Sequence, residues 1–352
     1  MQKRVIATAV ITALSLPAIT MAESLSDRLN NNENRIQYLE KRISDQEKTL
    51  KDKDASAIKI NGVVEVEAMT TEDSSDFALA TAELGLSAKV NDSVQAEISL
   101  VYEGETTDVD VAAIHIAEPG SNLSYSLGQI YVPFGSYETN MVSSPLTLEI
   151  GEARESAIQL NYESGALASS FYLFKGTNKE DSGTANGIDN FGVQFGYTGE
   201  GFSLGAGYIN DIGDSDGIQD ALSTNDVVAH VAGQTINATV EMGSFTLLGE
   251  YVAATEKFDA SELAFNSVGA KPSATNIELG YDFELAGKGA TFAIGSQSSK
   301  EAEALELPKQ RNIAALSVAI MENTSLGFEA AMDTAYDDSK SSTYTAKLAV
   351  EF

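Results

Sequence analysis

The chain has 352 residues, no cysteine, and 52 acidic against 22 basic side chains, a formal charge of -30. Phosphate backbones need a basic footprint, so this balance excludes nucleic acid as a partner. The missing thiols suit an oxidising compartment, and acid spread along the whole chain makes a hydrated surface whose field attracts cations.

The chain opens on Lys3 and Arg4, an apolar run from Val5 to Leu16, then Pro17 and Thr20-Met21-Ala22 before Glu23. This predicts a secretory signal peptide over residues 1–22. The apolar run is shorter than the roughly 20 residues of a membrane helix, which favours cleavage over anchoring. Cleavage removes Lys3 and Arg4 and no acid, leaving the rest still more acidic. No later stretch is apolar for long enough to cross a bilayer as a helix, so a membrane protein made from this chain must be a barrel.

Residues 23–56 form the next unit. Leu25, Leu29, Asn32, Ile36, Leu39, Ile43, Gln46 and Leu50 recur in steps of four and three, a heptad seam with charges on its flanks. The spacing predicts a short periplasmic coiled coil, with Asn32 and Gln46 as register-setting polar positions, and a charged linker from Lys51 to Ser56. Self-association follows, with a homotrimer as one outcome and a dimer equally compatible with this Leu/Ile seam.

From residue 57 to 352 the period becomes two. Val94, Ala96, Ile98, Leu100 and Tyr102 alternate with Gln95, Glu97, Ser99 and Glu103; Tyr344, Ala346, Leu348, Val350 and Phe352 alternate with Thr343, Thr345, Lys347 and Glu351. Such segments are near ten residues long, as a tilted membrane strand requires. Sixteen of them are expected, at about 57–69, 76–90, 93–103, 109–117, 122–131, 155–163, 166–175, 188–197, 201–211, 227–241, 244–256, 273–285, 289–299, 311–320, 323–333 and 342–352. Tight connectors such as Asn91-Asp92, Ser164-Gly165 and Gly287-Lys288 follow the even strands, and looser acidic ones follow the odd strands. The fold class is therefore an all-β, transmembrane antiparallel barrel in the outer membrane. Its N-terminus lies in the periplasm, its outer face meets lipid and lipopolysaccharide, and its aqueous lumen passes small solutes.

The longest connector, about 132–154, carries Pro133, Phe134, Tyr137, Glu138, Glu149, Glu152 and Arg154. These are the candidate constriction residues, since a long ordered loop at a pore is usually functional. Alternation also points Glu65, Glu67, Glu97, Glu103, Glu250, Glu278, Asp282 and Glu284 into the lumen, with Lys59 and Lys347 as the inward bases. Such a lumen prefers cations. Bases expected in loops, among them Arg154, Lys309 and Arg311, are the alternative patch for an anionic cargo.

The run Gly128-Gln129-Ile130-Tyr131-Val132-Pro133-Phe134-Gly135 resembles the end of strand five in outer-membrane porins. The continuations Thr139-Asn140-Met141-Val142 and Pro145 to Glu152 resemble the LbtU-type siderophore porins, as does the order of signal peptide, coiled coil and barrel. The resemblance implies that the loop after strand five folds inward and narrows the pore. It also implies uptake of a ferric siderophore without a plug domain, for which residues 23–56 are too few. The acidic lumen keeps a general cation-preferring diffusion porin as the other reading.

No catalytic set, metal site or cofactor is expected. His115 and His230 each stand singly in strand-like runs, and no Gly-x-Ser-x-Gly elbow occurs. Asp211, Asp214, Asp216 and Asp220 crowd one connector, but Ile212 breaks the calcium-loop spacing, so a solvated acidic loop is expected there.

Overall fold

A computed structural model describes residues 58–102, 106–180 and 187–352. The signal peptide, the coiled coil and Glu103 lie outside the described residues. Sixteen antiparallel strands close into one barrel in strict chain order, the last pairing with the first. We number them β1 (Ile58–Thr70), β2 (Ser75–Lys89), β3 (Val94–Tyr102), β4 (Thr107–Ala117), β5 (Leu123–Tyr131), β6 (Arg154–Ser164), β7 (Leu167–Phe174), β8 (Asn190–Gly199), β9 (Phe202–Ile209), β10 (Gly233–Met242), β11 (Phe245–Ala254), β12 (Ser273–Leu285), β13 (Lys288–Lys300), β14 (Gln310–Met321), β15 (Thr324–Thr334) and β16 (Lys340–Glu351).

The alternation produces an inside-out protein. Outward side chains such as Ile60 (63% exposed) and Ile236 (60%) have no protein over them, whereas the inward Glu278 is 1% exposed. A continuous apolar outer wall of this kind is stable only against lipid. Outward aromatics pair near the strand ends. Tyr197 stacks on Phe202 at 5.6 Å and Phe245 meets Tyr281 at 4.8 Å toward the short-turn end, while Phe191 meets Tyr208 at 6.1 Å toward the other. Rings at these heights form the girdles that an interface favours.

The connectors set the two ends apart. Those after even strands are tight, for example residues 286–287, where Ala286 (φ 53) and Gly287 (φ 77) take the paired left-handed conformations that a two-residue hairpin needs. Those after odd strands reach their greatest length in 132–153, 210–232 and 255–272. The barrel closes at Gly62, whose N–H donates to the Phe352 carbonyl at 2.9 Å and whose carbonyl accepts from the Phe352 N–H at 3.0 Å.

One expected strand begins late. The alternating run from 227 was read as strand, but β10 starts at Gly233. Val227 and Val231 instead bury 2% and 3% exposed side chains under the neighbouring loops. Asp226–Val227 forms a short parallel pair with Lys179–Glu180, and the Val231 carbonyl accepts from the Ile212 N–H at 2.7 Å. Burial in a loop core has overridden the local pattern.

The apolar core lies inside the long-loop half of the barrel. Phe134, Leu146 and Ile150 of the connector after β5 pack with Tyr172 and Phe174 of β7, Val252 of β11, and Ile212, Ile218, Phe258 and Leu263 of the other long connectors.

Candidate functional site

Residues 132–153 run inside the barrel along its inner wall. The segment leaves β5 with the Val132 N–H donating to the Ala153 carbonyl at 3.0 Å and returns through a short helix, α1 (Leu146–Gly151). Its peptide groups have no ladder partner, and a buried N–H must find an acceptor. Three wall carboxylates supply it. Glu250 of β11 accepts from the N–H of Ser136 (2.7 Å) and Tyr137 (3.1 Å) and from the Thr147 hydroxyl (2.8 Å). Glu278 of β12 accepts from the Thr139 hydroxyl (2.6 Å) and the Asn140 N–H (2.8 Å). Glu329 of β15 accepts from the N–H of Val142 (2.6 Å) and Ser143 (3.0 Å) and from the Ser143 hydroxyl (2.7 Å). Hydrogen bonds to a charged acceptor are the strong ones.

The wall beneath the loop lacks side chains where the loop comes closest. A Cβ on Gly207 would stand 2.3 Å from the Phe134 carbonyl, and one on Gly327 would stand 2.8 Å from the Val142 side chain. Glycine is required there for close approach, so the loop lies in a bed along the wall from β9 to β15.

These contacts locate the expected constriction residues. Phe134 is buried against the wall, and Tyr137 (φ 53) turns its ring under Gly135 and Gly151, with burial and then Glu250 holding its hydroxyl far above its ordinary range. Both anchor the loop instead of facing water. Pro133 is half-buried beside Phe134, and Glu152 is half-buried with its carbonyl accepting from the Asp216 N–H at 2.8 Å. Glu138 and Glu149 stay exposed; Glu138 accepts from the Thr239 hydroxyl at 3.0 Å. The protein packed around its carboxyl still raises Glu149 by partial desolvation, and Arg311 opposes the shift. Arg154 opens β6 and is not a loop base. It donates to Asp110 at 3.1 Å, which also accepts from the Tyr131 hydroxyl at 2.6 Å and the Ser99 hydroxyl at 3.1 Å. Arg311 likewise lies in β14, held by Asp333 through Nε (2.8 Å) and Nη2 (2.9 Å).

The inward acids fall into two groups. Glu250 and Glu278 point inward but are covered by the loop, so they do not meet lumen water as expected. Glu329 belongs with them. On the uncovered wall, Lys347 of β16 pairs with Glu65 (3.3 Å) and Glu67 (3.7 Å) of β1, and Glu97 of β3 meets His115 of β4 at 3.3 Å. Asp282 and Glu284 are exposed near the short-turn end, where Asp282 accepts from the Thr291 hydroxyl at 2.6 Å.

The long connectors form a cap over the same half of the mouth. Its acidic connector is not solvated: Asp211 is 1% and Asp214 0% exposed. Asp214 accepts from the N–H of Thr177 (2.8 Å) and Asn178 (3.0 Å) and from the Asn190 amide (2.6 Å), joining two loops. A second helix, α2 (Asp216–Ala221), rests on α1, where a Cβ on Gly217 would stand 2.1 Å from the Glu149 carbonyl. Among the described residues, no group of three or more His, Asp or Glu stands where it would hold a metal ion.

Burial, and then Asp214, push Asp211 up from 3.8 to about 7, while His230, 3.8 Å away, opposes the shift. A carboxyl raised on folding stabilises the cap fully below its unfolded value, and that contribution is lost as the pH climbs from near 4 to near 7. The cap is therefore expected to be tighter at pH 5 than at pH 8. Hydrogen exchange of residues 210–232 at the two pH values measures it, and Asp211→Asn is expected to flatten the difference.

No family model matches the chain. It is 28% identical over 296 residues to a UPF0422 protein of Legionella pneumophila strain Paris, covering 76% of this chain and 56% of that one. It is 30% identical over 230 residues to a UPF0422 protein of Coxiella burnetii, covering 62% and 49%. The chain thus spans about half the length of the curated relatives it matches. Among solved structures, the barrel superposes on Salmonella typhi OmpF, in a complex with daunomycin, with a TM-score of 0.61, 13% identity, and coverage of 84% of this chain and 97% of that one. For Pseudomonas putida OprB the TM-score is 0.59 at 11% identity, covering 87% and 96%. For OmpT of Vibrio cholerae, in its trimer form, it is 0.54 at 10%, covering 84% and 99%. The fold is that of outer-membrane porins.

Proposed function

We propose that the chain is an outer-membrane diffusion channel for small solutes with a preference for cations. The observation that carries this is the loop of residues 132–153, laid against one inner wall by Glu250, Glu278 and Glu329 and leaving the wall of Glu65, Glu67 and Glu97 uncovered. A loop pinned in this way narrows a lumen without filling it. The remaining fixed charge is mostly negative, and a ring of acids attracts cations. In planar bilayers the purified protein is expected to give a steady open current whose reversal potential in a salt gradient shifts toward the cation value. A shift toward the anion value, or no current, would sink the reading.

Uptake of a ferric siderophore is the narrower reading. Its support is the resemblance of residues 139–142 and 145–152 to LbtU-type porins, and those residues lie in the inward loop. Ferric siderophore added to the same bilayers is expected to interrupt the current in this reading, and an unaltered current leaves the general channel alone. The proposal places the tight turns, the N-terminus and a coiled coil over residues 23–56 in the periplasm, after cleavage of residues 1–22. The outward face then meets lipid and lipopolysaccharide. Crosslinking with and without residues 23–54 tests whether that coiled coil assembles a trimer.

A further inference from the structure

Lys347 lies where the loop tip meets the uncovered wall. Its Cα is paired with Gly327 of β15 on one side and with Glu67 of β1 on the other. Its ammonium donates to the Val142 carbonyl at 3.0 Å and to Glu65 at 3.3 Å, and stands 3.7 Å from Glu67. Glu329 meanwhile accepts from the N–H groups of Val142 and Ser143. The loop tip is thus held through both poles of its backbone, the carbonyl by a base and the N–H groups by an acid.

The ammonium faces a cavity of about 400 Å³ that includes Glu65, Glu67, Ser144, Thr345 and Arg311 in its lining. Arg311 is already engaged by two bonds to Asp333. Lys347 is therefore the base that offsets Glu65 and Glu67 where the loop tip meets the wall, and it is only 20% exposed at its side chain.

We propose that Lys347 is the residue that sets the strength of the charge preference. By pairing with Glu65 and Glu67 it masks much of their field, and by holding Val142 it keeps that masked site beside the inward loop. The inference rests on the channel reading and names the residue that tunes it. Loss of the ammonium leaves two carboxylates facing the lumen unopposed, and loss of the carboxylates leaves an unopposed ammonium. The two changes move selectivity in opposite directions.

The test is the reversal potential of the full-length protein in a potassium chloride gradient, with heat-modifiability on gels as the check of folding. Lys347→Met is expected to raise the cation-to-anion permeability ratio roughly three- to fivefold, the weight of one unit charge at close range in a wet lumen. Lys347→Arg is expected to keep the native ratio, and Glu65→Gln with Glu67→Gln to lower it. A merely structural Lys347 would disturb noise and folding in Lys347→Met without moving the ratio, and that result overturns the proposal. If Lys347→Met does not fold, an unchanged ratio in the Glu65→Gln, Glu67→Gln protein overturns it equally. A native protein that conducts nothing removes the channel reading and this inference together, whereas a native cation preference with unmoved variants removes the inference alone.

Discussion

Alanine at Glu250, Glu278 and Glu329 together is expected to turn a steady open current into one broken by sublevels, with a lower mean. Each carboxylate accepts two or more hydrogen bonds from the inward loop. A hydrogen bond to a charged group contributes about 1.5–3 kcal/mol, so a lost clamp costs the loop on the order of 3 kcal/mol or more. The released N–H groups of Tyr137, Asn140 and Val142 then have no acceptor between loop and wall. They regain one only by turning to water, which carries the loop into the open half of the lumen. Single-channel recording reads this directly. A triple variant with native, unbroken current would show that Gly207, Gly327 and the buried Phe134 hold the loop without the acids. Any one substitution is expected to act more weakly, because the other two clamps still hold the ends of the segment.

Valine at Gly62 is expected to weaken barrel closure by about 3 kcal/mol, the upper range for forcing volume into a packed site. A Cβ at this position would stand 2.6 Å from the Glu83 carbonyl and 2.7 Å from the Phe352 ring. The first is backbone of β2, so the pairing of β1 with β2 must shift, while the second presses on the closing strand and strains the paired bonds between Gly62 and Phe352. The urea midpoint of the detergent-folded barrel is the measurement. Phe352→Ala removes the ring and leaves the carbonyl, so in that background valine at 62 is expected to cost less but still to destabilise. Full recovery in the double variant would assign the whole effect to the ring.

The barrel was legible because lipid on one face and water on the other force a period of two with little exception. Strand positions such as 273–285 and the order of tight and long connectors follow from that pattern alone. Alternation assigns a side chain to a face, and it says nothing about what covers the face. Glu250 and Glu278 lie under the loop, and their partners, Ser136 and Asn140, are more than a hundred residues away in sequence, beyond the reach of any local pattern. The same holds for Glu329 and its partners Val142 and Ser143. A usable signal was present in the glycines: Gly207, Gly295 and Gly327 fall on inward positions of β9, β13 and β15, where a lumen facing only water has no need of them. The cap was misread because Asp211 and Asp214 carry charge, and charge in a connector normally means exposure. Here they bond to the backbone of neighbouring loops, a use that only tertiary structure reveals.

The clamps also separate two properties that a pore usually mixes. In the proposed channel, Glu65 and Glu67 act on ions through a wet space, where the Debye length falls from roughly 10 Å at 0.1 M salt to roughly 3 Å at 1 M. Glu250 and Glu278 act through direct bonds between packed surfaces, which dissolved ions do not enter. Concentrated brine should therefore erase discrimination by sign while leaving the size cut-off for neutral sugars where it was, so that the channel sieves by dimension in any medium and by charge only in a dilute one.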